Sequence, residues 1–269
     1  MKILVTGGGT CEPIDSVRSI SNFSTGKTAS FLADFFCEKG FEATAAMAEN
    51  AEKPGKAKIL TYRTFSDLNT LLENECRNSH FDAIIHAAAV SDYSVKEIFI
   101  DGKNFPAGAI SKIPSGKEIL LKMQENPKIL YSLKRWCGKN TAVVAFKLTS
   151  GATAEEQLAA VKKIFSAENL SFQEKEFAPD FVVHNEKPEI NGNAHPCKIF
   201  KNPGKILAET KTLQELAENL NLALRALLEG VGGNEVPTRG RLSPSIKKKR
   251  GKYDIDFGHW KHADGRRTV

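Results

Sequence analysis

Apolar residues gather in short unbroken runs that alternate with stretches where they recur every three or four positions. Residues 3–6 form the first run and lead into a Gly-rich turn. Across residues 25–39, Ala29, Phe31, Leu32, Phe35 and Phe36 fall on one helical face, and Gly40 stands where such a helix should end. The same alternation predicts strands at 43–48 and 59–62, a helix at 66–76 and a strand at 83–89. It then predicts a strand at 142–146, a helix at 154–165, a strand at 181–183 and a closing helix at 213–228. A run such as AIIHAAA has no polar face, as suits an inner strand of a parallel sheet covered by helices on both sides. The pattern predicts an α/β fold: a doubly wound, mostly parallel, Rossmann-like sheet with helices on both faces. Strand-like pieces at 96–105, 119–123 and 198–210 stand outside the alternation and predict small hairpin-like additions at the sheet edge.

Composition alters this picture only once its charge is located. The 269 residues are 41% hydrophobic, enough for one substantial core, and carry a formal charge of +6. Ten of the 38 Lys and Arg, but only four of the 32 Asp and Glu, lie from Gly232 onward, so the body holds 28 of each. That Gly-, Pro- and Arg-rich stretch has no sustained period, which divides the chain into a domain over 1–231 and a basic, disordered tail over 232–269. Its KKKR run at 247–250 could touch nucleic acid or an acidic partner, but a solvated tail is the plainer reading and no nucleic acid is expected. His259 and His262 stand apart from any other cluster of ligand candidates, so no metal site is expected. No window approaches the roughly 18 apolar residues of a membrane span, and the first ten residues lack a secretory core, so the reading is cytoplasmic and without a membrane. The cysteines, Cys11, Cys37, Cys76, Cys137 and Cys197, are odd in number, scattered and free of any C-x-x-C pair. They are expected to be reduced packing residues, neither a disulfide framework nor a zinc ribbon.

Ligands of open parallel sheets bind beyond the carboxyl ends of the strands, which directs attention to the loops after Thr6, Ala89, Phe146 and His184. SNFSTGKT, at 21–28, ends like a P-loop, but the opening glycine of that motif would fall on Ser21. A G-x-G-x-x-G fingerprint fits Gly7 and Gly9 and fails at Glu12, which Pro13 follows at once. The short-chain dehydrogenase pattern shares Thr6-Gly7, yet its later glycines fall on Cys11 and Pro13, and Tyr93 and Lys96 are one residue too close for its Tyr-Lys pair. An NAD(P)-dependent dehydrogenase stays open as one alternative. A non-catalytic nucleotide-binding protein whose basic tail does the work is another.

GGGTCEPIDSVRSISNFSTGKT, AAAVSDY, SKIPSG, LLKMQENPKIL and VVAFKL follow one another in an order that resembles the phosphopantothenate-cysteine ligase family over about residues 2–190. In many bacteria such a ligase lies behind a flavin-containing decarboxylase. This chain resembles the stand-alone ligase, for which no flavin is expected. The resemblance implies joining of L-cysteine to 4′-phosphopantothenate through an acyl-nucleotide made from CTP or ATP, with Mg²⁺ arriving on the triphosphate. It also implies a homodimer and a separate phosphopantothenoylcysteine decarboxylase acting next.

Residue by residue, the resemblance makes Asn22 a catalytic donor to the substrate carboxylate and Lys112 a catalytic cation on a flap. Arg18, Ala88, Ala89 and Asp92 become substrate contacts, with Arg18 reaching across the dimer. The nucleotide falls to Gly8, Gly9, Ser24, Thr25, Gly26, Asp92 and Lys112, to Asn126, Pro127, Lys128 and Ile129, and to Phe146, Lys163 and Asn185. The plain readings, an Asn that only shapes a turn, alanines that only pack, a surface Arg and a core Phe, remain open at this point. Three departures bear on the nucleotide. Ala29 replaces a usual glycine, FKLTS lacks the usual acidic residue, and of two family lysines only the first has candidates, Lys162 and Lys163, the second falling near Ala167. SFQEKEFA, at 171–178, is an apparent insertion.

Overall fold

The computed structural model describes residues 1–166, 177–187, 190, 194–230, 247–249 and 252–254. The chain opens with β1 (Lys2–Gly7), a small hairpin of β2 (Cys11–Pro13) and β3 (Ser19–Ser21), and then α1 (Lys27–Glu38). Next come β4 (Glu42–Ala48), β5 (Lys58–Tyr62), α2 (Phe65–Asn78), β6 (Ala83–His86), β7 (Tyr93–Ile100), β8 (Lys103–Pro106) and β9 (Ile119–Glu125). The second half holds α3 (Leu133–Cys137), β10 (Ala142–Thr149), α4 (Ala154–Ser166), β11 (Phe181–Glu186), β12 (Cys197–Asn202), β13 (Lys205–Thr210) and α5 (Leu213–Leu228). Beyond α5 the described residues form the antiparallel pair β14 (Lys247–Lys249) and β15 (Lys252–Asp254).

Eight strands form the main sheet in the order β13-β12-β11-β10-β6-β1-β4-β5. The six from β11 to β5 are parallel, and β12 and β13 close one edge antiparallel. From β1 the chain steps outward through β4 to β5, then returns to pair β6 on the other side of β1. Because such crossovers are right-handed, opposite directions of travel put α1 and α2 on opposite faces. Accordingly α1 packs with α5, and α2 with α3. The strand order reverses between β1 and β6, which makes their carboxyl ends the crevice of this sheet.

Strand interiors explain the core. Ile3, Leu4, Val5, Ala45, Ala46, Met47, Ile84, Ile85, Val143 and Val144 are essentially inaccessible, as strands buried on both faces require. On α1, Ala29, Leu32, Phe35 and Phe36 are buried, the predicted face apart from Phe31. Ala29 replaces the expected glycine without forcing the helix outward, because the missing methyl is on the strand instead. A Cβ on Gly7 would lie 2.2 Å from the Cβ of Ala29. Among the described residues no helix is long and apolar enough to cross a membrane.

The alternation placed the helices and parallel strands within a few residues, but three features differ from expectation. Only 198–210 adds to the sheet edge, as β12 and β13, whereas the other strand-like pieces form a separate antiparallel sheet, β8-β7-β9. The hairpin of β2 and β3 lay hidden in EPIDSVRSI, where polar residues and Pro13 mask any strand period. And two cysteines are not free. Cys76, in the last turn of α2, is disulfide-bonded to Cys137 at the end of α3. Their 61-residue separation carries no motif; only the packing of the two helices brings them together. Residues 171–176 of the apparent insertion, Ala167 and both His259 and His262 lie outside the described residues, as does the tail apart from β14 and β15.

A thiol count on the denatured, unreduced protein should therefore find three free cysteines, Cys11, Cys37 and Cys197. Reduction should raise the count to five and lower stability by about 2–4 kcal/mol. Five thiols without reductant would contradict the pairing.

Candidate functional site

At the switch point the loops leaving β1 and β6 are joined backbone to backbone. Ala87 N–H donates to Thr6 O at 3.2 Å, Ala89 N–H to Gly8 O at 2.9 Å, and Thr10 N–H to Ala89 O at 3.2 Å. Side chains complete the seam. Thr6 Oγ1 accepts the Ala88 N–H at 3.1 Å and lies 2.9 Å from His86 Nδ1. Burial pushes His86 down to about 4, so the ring is neutral at ordinary pH. Tyr62, at the end of β5, donates to Gly7 O at 2.9 Å and shares its hydroxyl with Gly8 O at 3.1 Å. Burial drives its phenol well above the usual range, so it remains a donor.

On this seam rests the turn that carries Asn22. Its N–H meets Thr10 O at 3.4 Å, as does the Ser21 hydroxyl at 3.1 Å, and its side-chain amide donates to Ala89 O at 3.2 Å. A Cβ on Gly9 would lie 2.2 Å from the Asn22 carbonyl oxygen, so only glycine lets the two backbones approach. Gly26, at φ 76°, turns the chain into α1, and the Thr25 hydroxyl accepts the first helical amide, that of Lys27, at 3.4 Å. Ser24 and Thr25 are exposed beside that helix start. Phosphate-sized anions favour such an end because its amides and dipole point outward. The hollow between this turn and the loop after β4 has a volume of about 60 Å³, below the roughly 300–1,000 Å³ of ligand pockets. A ligand could seat one end there while the rest lies in the open.

A second group joins this one through buried hydrogen bonds. The Ser91 N–H donates to Thr10 Oγ1 at 3.0 Å, and Asn126 donates to Ser91 O at 3.0 Å and Ser94 Oγ at 2.9 Å. Ser94 also bonds the buried carboxylate of Glu12, which accepts the first amide of α2 from Phe65. The amide of Asn126 is thus already engaged, and a nucleotide would meet the exposed Pro127 and Lys128 sooner. Ile129 is buried in the core. Asp92 and Lys128 form an exposed ion pair at 2.5 Å.

The remaining predicted residues divide. Phe146 follows Ala145, the partner of His86 in register, and is half-buried against the core. Asn185 faces the opposite side of β11 from His184 and Glu186, as alternation along a strand dictates. Its amide donates to Pro196 O at 3.0 Å and to Cys197 Sγ at 2.8 Å, so a nucleotide contact would require it to leave both. The thiol, pushed up to about 11 by burial, stays protonated. Lys163 is exposed on α4. Arg18, expected to reach across a dimer, is held within its own chain by Asp15, three residues earlier in the same turn, and by the Ile113 carbonyl. Lys112, next to Ile113, is exposed.

Tyr62, His86, Thr6 and Glu12 escaped the sequence because each bonds a group distant in the chain, the Gly7 and Gly8 carbonyls, the Thr6 hydroxyl, the Ala88 amide and the Phe65 amide respectively, and no spacing encodes that. Among the described residues no three His, Cys, Asp or Glu side chains converge on a metal position, and Asp92 is already paired with Lys128.

Residues 1–220 match the family described as DFP, the DNA/pantothenate metabolism flavoprotein C-terminal domain. The Coenzyme A biosynthesis bifunctional protein CoaBC of Thermococcus kodakarensis is 30% identical over 81% of this chain. The chain spans 49% of that relative's length, and 39% of the length of the CoaBC of Methanocaldococcus jannaschii, to which it is 34% identical over 63% of this chain. The crystal structure of the DNA/pantothenate metabolism flavoprotein from Streptococcus pneumoniae superposes with TM-score 0.70 at 26% identity, covering 84% of this chain and 99% of that one. A Cab2 H337A mutant in complex with phosphopantothenate-cysteine, at 16% identity, shares the fold with TM-score 0.66 over 85% of this chain and 86% of that one.

Tyr62→Phe should lower stability by about 1–3 kcal/mol, because the Gly7 and Gly8 carbonyls lose a shared buried donor. The urea midpoint should fall with its slope unchanged. His86 supplies a pH signature. Between its ordinary 6.5 and about 4 the unfolded chain binds a proton that the folded chain refuses. Its contribution is complete above that window and lost as pH falls through it. Melting temperatures of wild type and His86→Gln should converge from pH 7 to 4, and parallel curves would remove His86 from the account.

Proposed function

The chain belongs to the DNA/pantothenate metabolism flavoprotein C-terminal domain family, and from that premise we propose that it ligates L-cysteine to 4′-phosphopantothenate at the β1–β6 switch point. CTP or ATP converts the substrate carboxylate to an acyl-nucleotide with loss of pyrophosphate. The cysteine amine then attacks the acyl carbon, the nucleoside monophosphate leaves, and 4′-phosphopantothenoyl-L-cysteine forms. Mg²⁺ enters with the triphosphate and no step is assigned to it.

The observation that carries this reading is the Asn22 amide. One of its two N–H groups is fixed on Ala89 O, which leaves the other aimed away from that carbonyl to meet a carboxylate or the oxyanion of amide formation. Ser24, Thr25 and Gly26 offer hydroxyls and amides to a phosphate, with Gly8 and Gly9 forming the floor. Ala88 and Ala89 bound the substrate. The Asp92–Lys128 pair sits at the rim, where exchange of partners can admit a charged ligand. Lys112 neutralises the triphosphate. Exposed Ile119, Leu120 and Met123 on β9, an outer strand of its sheet, support a homodimer. The reaction is placed in the cytoplasm, with a separate decarboxylase consuming the product.

Pyrophosphate release from phosphopantothenate, measured with CTP and ATP in turn and with or without cysteine, tests the proposal. No release under any of the four conditions would sink it. Asn22→Asp should still release pyrophosphate while amide formation drops about 100-fold or more, since a carboxylate replaces the donor beside the acyl centre. Normal amide yield would remove Asn22 from the chemistry.

A further inference from the structure

The segment that presents Lys112 is gripped by the loop between β2 and β3. Ile113 N–H donates to Asp15 Oδ2 at 3.0 Å, and the same oxygen receives Arg18 Nη1 at 3.1 Å. That guanidinium reaches on to Ile113 O, at 3.3 Å from Nη1 and 3.2 Å from Nη2. Both polar groups of Ile113 are thus bound, and acid and base are bound to each other. The other carboxylate oxygen of Asp15 accepts the N–H groups of Val17 and Arg18 at 2.9 and 2.7 Å, which orients it. Ser16 donates to Ser111 O, and Gly108 N–H to Ile14 O at 3.4 Å, so the contact runs along the segment. The Ile113 side chain is buried with Val95 and Ile98. Lys112 itself is exposed, with no hydrogen bond or ion pair among the described residues.

We propose that Asp15 is the positioning residue for Lys112: its buried carboxylate, directly and through Arg18, fixes the Ile113 peptide so that the preceding lysine is held outward. The inference rests on the role given to Lys112 above only for its catalytic consequence. Asp15 is suited to the task because Ile113 N–H, and then the neighbouring amides and Arg18, hold its carboxyl below the usual range despite burial, so its charge persists. Arg18 matters for its planar fork, which reaches carboxylate and carbonyl together and which a lysine cannot reproduce.

Trypsin cleavage of the ligand-free protein after Lys112 reads the grip without reference to any reaction, with cleavage after Lys205, the exposed first residue of β13, as internal control. Asp15→Asn should raise the Lys112 rate relative to Lys205 by about tenfold or more, and the milder Arg18→Lys by several-fold. Pyrophosphate release should fall in Asp15→Asn, and Asp15→Asn combined with Lys112→Ala should be no slower than Lys112→Ala alone. An unchanged cleavage ratio in both variants, as from continued protection or from general loosening, overturns the grip. A further loss added to Lys112→Ala overturns action through Lys112. If the wild type releases no pyrophosphate, the ligase reading falls while the cleavage ratio still decides the grip.

Discussion

The Ala89 carbonyl is the hinge pin of the molecule. It lies just past the end of β6, where a strand would ordinarily leave its backbone to water, and it accepts both Thr10 N–H and the Asn22 amide. Remove that acceptor and three chain segments lose their common reference: the loop after β1, the loop after β6 and the turn before α1. Buried backbone groups must find partners, and here that requirement sets the position of a side chain able to act on a ligand. The site is consequently built from seams between strands and owes little to any single loop.

The same logic reaches inward. Glu12 is a buried carboxylate that bonds the first amide of α2 and the hydroxyl of Ser94, and through Ser94 it meets Asn126. Each member has its partners, so the network holds the small antiparallel sheet in register with the main one, where a half-satisfied network would be costly. Ser91 links it to Thr10, and thereby to the seam at Ala89.

Much of the fold was legible because periodicity responds to burial. AIIH and AVVA are buried on two faces and could be little else than inner strands. The glycines and Asn22 were legible as a cluster because they lie close in the sequence and then meet at one strand end. What was not legible depends on contacts across the sheet. Tyr62 is the last residue of a strand until its hydroxyl is seen on Gly7 and Gly8. Cys76 and Cys137 are scattered thiols until α2 and α3 lie side by side. Asn185 fits its motif in type, yet the strand's alternation turns it toward Cys197. Periodicity also failed for β2 and β3, whose short, polar strands pair only with each other.

The contact between Gly7 and Ala29 defines a space with room for one methyl group where two residues compete to supply it. Moving the methyl from the helix to the strand would bring it 3.0 Å from Met47 Cε, so the exchange also asks that side chain to yield slightly. A glycine lost from the helix is then no sign of a looser domain as long as the strand carries one. The quantity to follow through a set of sequences is the joint size of positions 7 and 29, together with the residue at position 47 that borders the same space.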